Sequence, residues 1–301
     1  MDYSTKMQTA QFRWFLNIIL AGLIFVNAEA GRLLGIHTLP LQFSPVWPAT
    51  GFSLAALLLF GNKAWPGVFV GNLCYNLVHL LLEGTGFVAP VTVALVISLG
   101  SLSQALVGNW VMRHYCSSGY FKTIKDVVVF LLGGGFITCT IAATVGVITF
   151  LLYGVLQVDT AAFSWLTFWL GDVMGVYVFT PLLIVWSLKR FPYELEEKIS
   201  ELSCMLLLFV ILSMLFYSVP FYPPIYFFIP YVLWVGYRLG FHGVTVALLL
   251  ISITTIAITT LSEGWFTNRY PTNSLLILVM FLETLILTGL FAGAVNRELR
   301  S

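Results

Sequence analysis

Ten apolar runs follow one another along this chain of 301 residues, and short polar connections separate them. A helix needs about 20 apolar residues to cross the hydrocarbon core of a bilayer, where backbone polar groups must be bonded within the segment. The spacing of the runs therefore predicts an all-α fold, a polytopic transmembrane helical bundle of eight to ten membrane segments. They lie near residues 13–35, 46–61, 64–82, 87–112, 126–153, 161–187, 201–219, 222–238, 241–261 and 273–295.

Two of these segments are short or broken by proline. The second begins at Pro48 and carries Gly51, and the eighth contains Pro223, Pro224 and Pro230. Either segment could be tilted or re-entrant, because irregular backbone is tolerated at membrane depth when protein surrounds it. Eight full spans with an interfacial pair is therefore the alternative count.

The composition agrees with an integral membrane protein. Hydrophobic residues make up 59% of the chain and charged residues only 9%, against roughly 25% charged in a soluble domain. The net charge of +1, with no basic patch outside the short loops, gives no indication of nucleic-acid binding. The four cysteines lack a CxxC spacing, and no nucleotide or metalloenzyme motif occurs. The sequence therefore predicts no metal and no cofactor.

The positive charges predict an orientation. If the N-terminus is cytoplasmic and all ten segments cross, only Arg32 and Arg269 of the 14 lysine and arginine residues fall in outer connections. Positive charge accumulates in cytoplasmic loops. We therefore expect a multi-pass membrane protein with both termini in the cytoplasm.

One face of the third segment is polar along its length. Asn72, Asn76, His79 and Glu83 follow one another at offsets of four, three and four residues, which places them on one side of a helix. Unpartnered amides and imidazoles are costly in hydrocarbon, so this face should turn toward other helices or a wet cavity. We expect the binding or sensing centre beside it.

A carboxylate in the sixth segment is the second candidate. Asp172 lies mid-span and should be buried, paired or protonated, and Trp165 and Trp169 share its helix face. Gly171 and Gly175 form a small-xxx-small pair that lets another helix approach closely. Asp172 is either a ligand-responsive group or a structural anchor between helices.

Two further polar residues within the spans are candidates. Glu283 on the last segment could pair with His79 or face a cavity, and packing is the alternative. The fourth segment contributes Gln104 to a possible polar network.

The motifs together resemble a known family. The run from Ser44 to Gly51, which contains Trp47, Pro48 and Thr50, is followed by Gly61, Trp65-Pro66-Gly67 and Asn72. This resembles the N-terminal signature of the type-one membrane-associated sensor (MASE) domains of bacterial signalling proteins. The stretch with Trp165, Gly171, Asp172, Gly175 and Pro181, where the proline closes the helix, is similar to their second hallmark. Gln104 stands where relatives carry glutamate, so an acidic pair with Asp172 is not supported.

The resemblance implies a single sensor domain over residues 1–301 in the bacterial inner membrane, followed by an output domain outside this chain. Such domains are the input of diguanylate cyclases, cyclic-di-GMP phosphodiesterases and histidine kinases. The domain itself would not be an enzyme. Its expected partners are the bilayer, an unidentified small-molecule or membrane-derived signal, a cytoplasmic output module or partner membrane protein, and a second copy in a homodimer.

A transport subunit or small transporter with broken helices around Pro48 and Pro230 is the alternative. An intramembrane enzyme is less favoured, because no nucleophile–base pair or metal-ligand spacing is evident. Under the leading hypothesis, the polar interior detects the signal and the last helix, which ends near Asn296, transmits it.

Overall fold

A computed structural model describes residues 3–38, 41–82, 88–117, 120–187, 199–218, 224–260 and 271–299. Glu83 and Pro223 lie outside the described residues. The described chain is helical apart from one hairpin, in which β1 (Ile36–Thr38) pairs antiparallel with β2 (Leu41–Phe43). The helices are α1 (Tyr3–Leu33), α2 (Pro48–Phe60), α3 (Trp65–Leu82), α4 (Val88–Tyr115), α5 (Ile124–Val129), α6 (Cys139–Leu152), α7 (Val158–Ser187), α8 (Ile199–Ser218), α9 (Phe228–Thr260) and α10 (Pro271–Leu299).

The predicted membrane bundle is confirmed. Within the described part of the chain, seven stretches are long and apolar enough to span a bilayer, and α8 adds a shorter apolar helix at Ile199–Leu215. Large hydrophobic side chains such as Phe12, Ile18 and Met280 lie exposed on the outside of the bundle, as expected for a surface that faces lipid. The short hairpin between α1 and α2 was not predicted.

The chain reverses direction between α2 and α3. The rings of Trp47 and Tyr75 lie 5.6 Å apart, although a continuous helix would separate them by roughly 40 Å. A 3₁₀ turn at Gly61–Ala64, which starts with Gly61 at a φ of 74°, makes this reversal. With 13 residues, α2 is about 20 Å long and too short to cross the hydrocarbon core, which confirms the expectation of a short second segment.

A second reversal lies within α9. Gly240 has a φ of 61° and a ψ of −153°, values that glycine adopts at little cost. Val232 and Leu248, on either side of it, both lie within 4 Å of the position that a Cβ on Gly289 would occupy. A straight helix would separate them by about 24 Å, so residues 228–239 and 241–260 form a helical hairpin against α10.

Two local features of the helices differ from the predictions. A π-helical stretch, Phe130–Phe136, interrupts the single helix expected over residues 126–153 and contains three consecutive glycines, Gly133 to Gly135. Pro181 lies inside α7, so the prediction that it closes the helix was wrong. Proline removes a single helical hydrogen bond, and α7 is buried around Pro181, so packing holds the helix together to Ser187.

Candidate functional site

The cavity and its walls

A cavity of about 320 Å³ lies between α3, α4, α6, α7 and the segment that leads into α2. Its polar lining includes Asn72, Asn76, His79, Ser101, Thr167 and Asp172. The lining residues on α3 run from Asn72 to Leu80, so the cavity extends about 12 Å along the helix axes. Asn72 and Asp172 lie toward one end, which we call the floor, and Arg32 and Val155 toward the other, which we call the mouth.

The floor is built by close contact between α2 and α7. The Trp47 N–H donates a hydrogen bond of 2.8 Å to the Gly171 carbonyl, and the Thr180 hydroxyl donates one of 3.0 Å to the Gly51 carbonyl. A Cβ on Gly175 would lie 1.9 Å from the Trp47 carbonyl oxygen. The glycine pair on α7 therefore allows the close approach that its spacing predicted. Helix α2 begins at this contact with Pro48, which is buried.

Asp172 is presented to the cavity by this contact. Its Oδ1 accepts a hydrogen bond of 2.5 Å from the Thr50 hydroxyl, and its side chain lines the cavity. Among the described residues, no hydrogen bond or ion pair reaches Oδ2. One carboxylate oxygen is thus fixed by the protein and the other is available.

The predicted polar face of α3 turns inward. Asn72 is buried, and its amide nitrogen donates to the Val68 carbonyl at 2.9 Å. Asn76 donates to the Ser98 hydroxyl on α4 at 3.1 Å. Asn72, Asn76 and His79 all line the same cavity as Asp172.

A small polar cluster lies at the mouth. His79 Nε2 lies 2.8 Å from Glu29 Oε2 on α1, and the other oxygen of Glu29 accepts hydrogen bonds from Arg32. The Tyr75 ring lies 4.6 Å from the His79 ring and packs edge-on against Trp47. The mouth therefore combines an ion pair with aromatic walls, and His79 pairs with Glu29 rather than with Glu283.

The family of the chain

One family model matches the chain over residues 14–300, and that model is MASE1. The chain belongs to the MASE1 family. This confirms the resemblance that the two Trp-Pro pairs and the glycine–aspartate stretch of α7 indicated. Comparisons with curated proteins and with solved structures find no match. MASE1 domains are membrane-associated sensory domains and are not themselves catalytic.

Four other predicted site residues of this MASE1 domain are not among the residues that line the cavity. Trp165 and Trp169 stack on each other and donate through their indole nitrogens to Thr144 and to the Phe136 carbonyl. Gln104 is buried and donates to the Cys139 sulfur at 3.0 Å, while its Oε1 has no partner among the described residues. Glu283 is half-buried on α10, with no hydrogen bond to another described residue.

Sequence reasoning missed Glu29, which orients His79. The signal was present, because a carboxylate within a long apolar run needs a partner, and Arg32 follows it one helical turn later. The fact that α1 packs against α3 and brings Glu29 to His79 could not be read from spacing. Among the described residues, no group of three histidine, cysteine or acidic side chains could hold a metal ion.

Proposed function

We propose that this chain is a sensory input domain whose cavity between α3, α4, α6 and α7 binds the signal and whose last helix, α10, transmits it to a cytoplasmic output module. The observation that carries the proposal is the convergence of Asn72, Asn76, His79 and Asp172 on one cavity. Such side chains are costly in a membrane and mark ligand or ion sites there. A concave, mostly apolar cavity with a few convergent polar groups is the usual form of a small-molecule site.

A continuous set of contacts joins the cavity to the end of α10. Helix α6 lines the cavity through Ala142, Ala143 and Gly146. The π-helical stretch precedes α6 in the chain and connects it to α5. The first N–H of α5, at Ile124, donates to Glu298 Oε1 on α10 at 2.8 Å. A shift of α6 would therefore act directly on the end of the last helix.

The π-helical stretch is a candidate for the element that changes state. A π-turn leaves the regular hydrogen-bond ladder and is frequent at functional sites in helices. Here α7 supplies the missing donors: Trp169 donates to the Phe136 carbonyl at 2.8 Å, and Tyr177 donates to the Leu131 carbonyl at 2.7 Å. Two arrangements of this stretch, each with different contacts to a bound ligand, would give the two states that a switch requires.

The orientation proposed is that of a bacterial inner-membrane protein with α10 ending in the cytoplasm. Its support is the distribution of lysine and arginine, which accumulate on the cytoplasmic side. At that end, Arg113 donates to the Leu57 and Leu58 carbonyls, and Arg297 donates to the Phe121 carbonyl. The proposed output modules are a diguanylate cyclase, a cyclic-di-GMP phosphodiesterase or a histidine kinase.

The test is a fusion of the whole chain, through Ser301, to a diguanylate cyclase domain, with cyclic-di-GMP measured in cells. We expect Asp172→Asn and Asn76→Ala each to change basal output by at least about twofold, at unchanged protein level. Asp159→Asn is the matched control, because Asp159 lies exposed at the start of the same helix as Asp172. Output at the unmodified level in both cavity variants would contradict the proposal, and solute uptake by the reconstituted chain that is lost in Asp172→Asn would favour a transporter.

A further inference from the structure

The polar groups at the cavity floor leave oxygen atoms available to a ligand. Each amide nitrogen of Asn72 and Asn76 already donates a hydrogen bond within the protein. Among the described residues, no hydrogen bond reaches the two amide oxygens or Oδ2 of Asp172. These three oxygens belong to side chains that line one cavity.

The hydroxyl groups near the floor have each donated their single proton within the protein. Ser101 donates to the Ile97 carbonyl, Thr167 donates to the Phe163 carbonyl, and Thr50 donates to Asp172 itself. A hydroxyl that donates elsewhere can offer only its lone pairs to a ligand. Each asparagine amide keeps one N–H, but the free oxygens and hydroxyl lone pairs outnumber these donors, so a ligand that brings donors matches the floor best.

The formal charges around the cavity favour a ligand whose donor group is positively charged. At the mouth, the carboxylate of Glu29 is balanced by the guanidinium of Arg32. The Asp172 carboxylate has no cationic partner among the described residues. Hydrogen bonds from a charged donor to a carboxylate are about twice as strong as neutral ones, so an ammonium group would gain most at this position.

The remaining walls are aromatic and apolar. Trp47 and Phe168 line the cavity near Asp172, and Phe150 lies toward the mouth. Aromatic faces attract organic cations and also cover an apolar body. The volume of about 320 Å³ is that of a site for a small organic molecule rather than for a bare ion.

From these observations we propose that the cavity binds a primary amine: its ammonium group donates to Asp172 Oδ2 and to the side-chain oxygens of Asn72 and Asn76, and its apolar body lies against Trp47 and Phe168. A primary ammonium has three N–H donors, which equals the number of available oxygens. The assignment rests on the proposed function, since it names the ligand class of the same cavity.

Calorimetric titration of the whole chain in nanodiscs tests the assignment. The probes are butylamine, phenethylamine and tryptamine, each compared with the alcohol of the same skeleton and with its N-trimethylated derivative. Empty nanodiscs, titrated in the same way, measure partitioning into lipid. We expect at least one amine to bind at least about tenfold more tightly than both of its analogues, because one lacks the charge and the other the donors.

Variants localise the binding to the floor. Asp172→Asn should weaken the binding of that amine at least about tenfold, whereas Asp159→Asn should leave it unchanged. The amide introduced by Asp172→Asn keeps an oxygen for the Thr50 hydroxyl, and an unchanged unfolding temperature without ligand shows that the variant is folded. Failure of all three amines to bind more tightly than their analogues overturns the assignment, as does full binding by Asp172→Asn.

These outcomes are distinct from those of the signalling test. If the amines do not bind but Asp172→Asn and Asn76→Ala alter cyclic-di-GMP output, the sensor function stands and the ligand class is wrong. If an amine binds at Asp172 and neither cavity variant alters output, the ligand class stands and the sensor function is wrong.

Discussion

The Thr50 hydroxyl donates a hydrogen bond of 2.5 Å to Asp172, although the two residues are 122 positions apart in the chain. It joins the first turn of α2 to the middle of α7. Because it fixes one oxygen of the carboxylate, it also determines which oxygen the cavity presents.

Replacement of Thr50 tests this relationship. We expect Thr50→Val to lower the free energy of unfolding by about 1–3 kcal/mol, because it leaves an acceptor without its donor inside the bundle. Thermal unfolding of the purified chain in detergent measures the loss. Thr50→Ser keeps the hydroxyl and should retain most of the stability, and equal losses in the two variants would show that the methyl group, not the hydrogen bond, is important.

The contact between α2 and α7 depends on the absence of a side chain at Gly175. A Cβ there would lie 1.9 Å from the Trp47 carbonyl oxygen, and neither backbone can move without disturbing the floor. We expect Gly175→Ala to destabilise the chain by about 3 kcal/mol or more, and to lower its unfolding temperature.

Gly22→Ala is the matched control for Gly175→Ala. Gly22 also lies within a helix, but an added Cβ would meet nothing within 4 Å. Its replacement should change stability by no more than about 1 kcal/mol, in the stabilising direction, because alanine favours helix. Similar losses at both positions would contradict the close approach of α2 to α7.

The hydrogen bond between His79 and Glu29 should appear as a coupling energy. In a double-mutant cycle with His79→Ala and Glu29→Ala, we expect the two changes to be non-additive by about 0.5–2 kcal/mol, since the groups are 2.8 Å apart. The free energy of unfolding of the four proteins supplies the measurement.

A second cycle with His79→Ala and Glu201→Ala is the control for this coupling. Glu201 pairs with Arg238 on another pair of helices, so the two changes should add to within about 0.5 kcal/mol. Equal coupling in both cycles would mean that the energy does not come from the contact at the mouth.

Substitutions of two buried tyrosines distinguish an effect on stability from an effect on signalling. Tyr177 donates to the Leu131 carbonyl in the π-helical stretch, and Tyr231 donates to the Met205 carbonyl on α8. Replacing either tyrosine with phenylalanine should lower the free energy of unfolding by about 1–2 kcal/mol, because a buried carbonyl loses its donor. Only Tyr177→Phe should alter the output of the cyclase fusion, because only Tyr177 contacts the stretch between the cavity and α10. Altered output in Tyr231→Phe alone would place the switching element in α8 and α9 instead.

Much of the candidate site was predictable because a membrane restricts where polar groups can go. The offsets of Asn72, Asn76 and His79 place them on one helix face, and hydrocarbon requires that face to turn inward. The same reasoning selected Asp172. It could not place Gln104, Glu283, Trp165 and Trp169, which are not among the lining residues. A polar group within a span can be satisfied by any neighbouring helix.

The sequence by itself determined the helical membrane class, the order and approximate bounds of the segments, and the polar residues that must avoid lipid. These follow from local properties: segment length, hydropathy and helical periodicity. Only the tertiary structure decided which helices are neighbours, that the chain reverses at Gly61 and within α9, and that Glu29 meets His79 while Thr50 meets Asp172. The physical reason is that these contacts join residues far apart in the chain, and periodicity within one segment carries no information about the segment that packs against it.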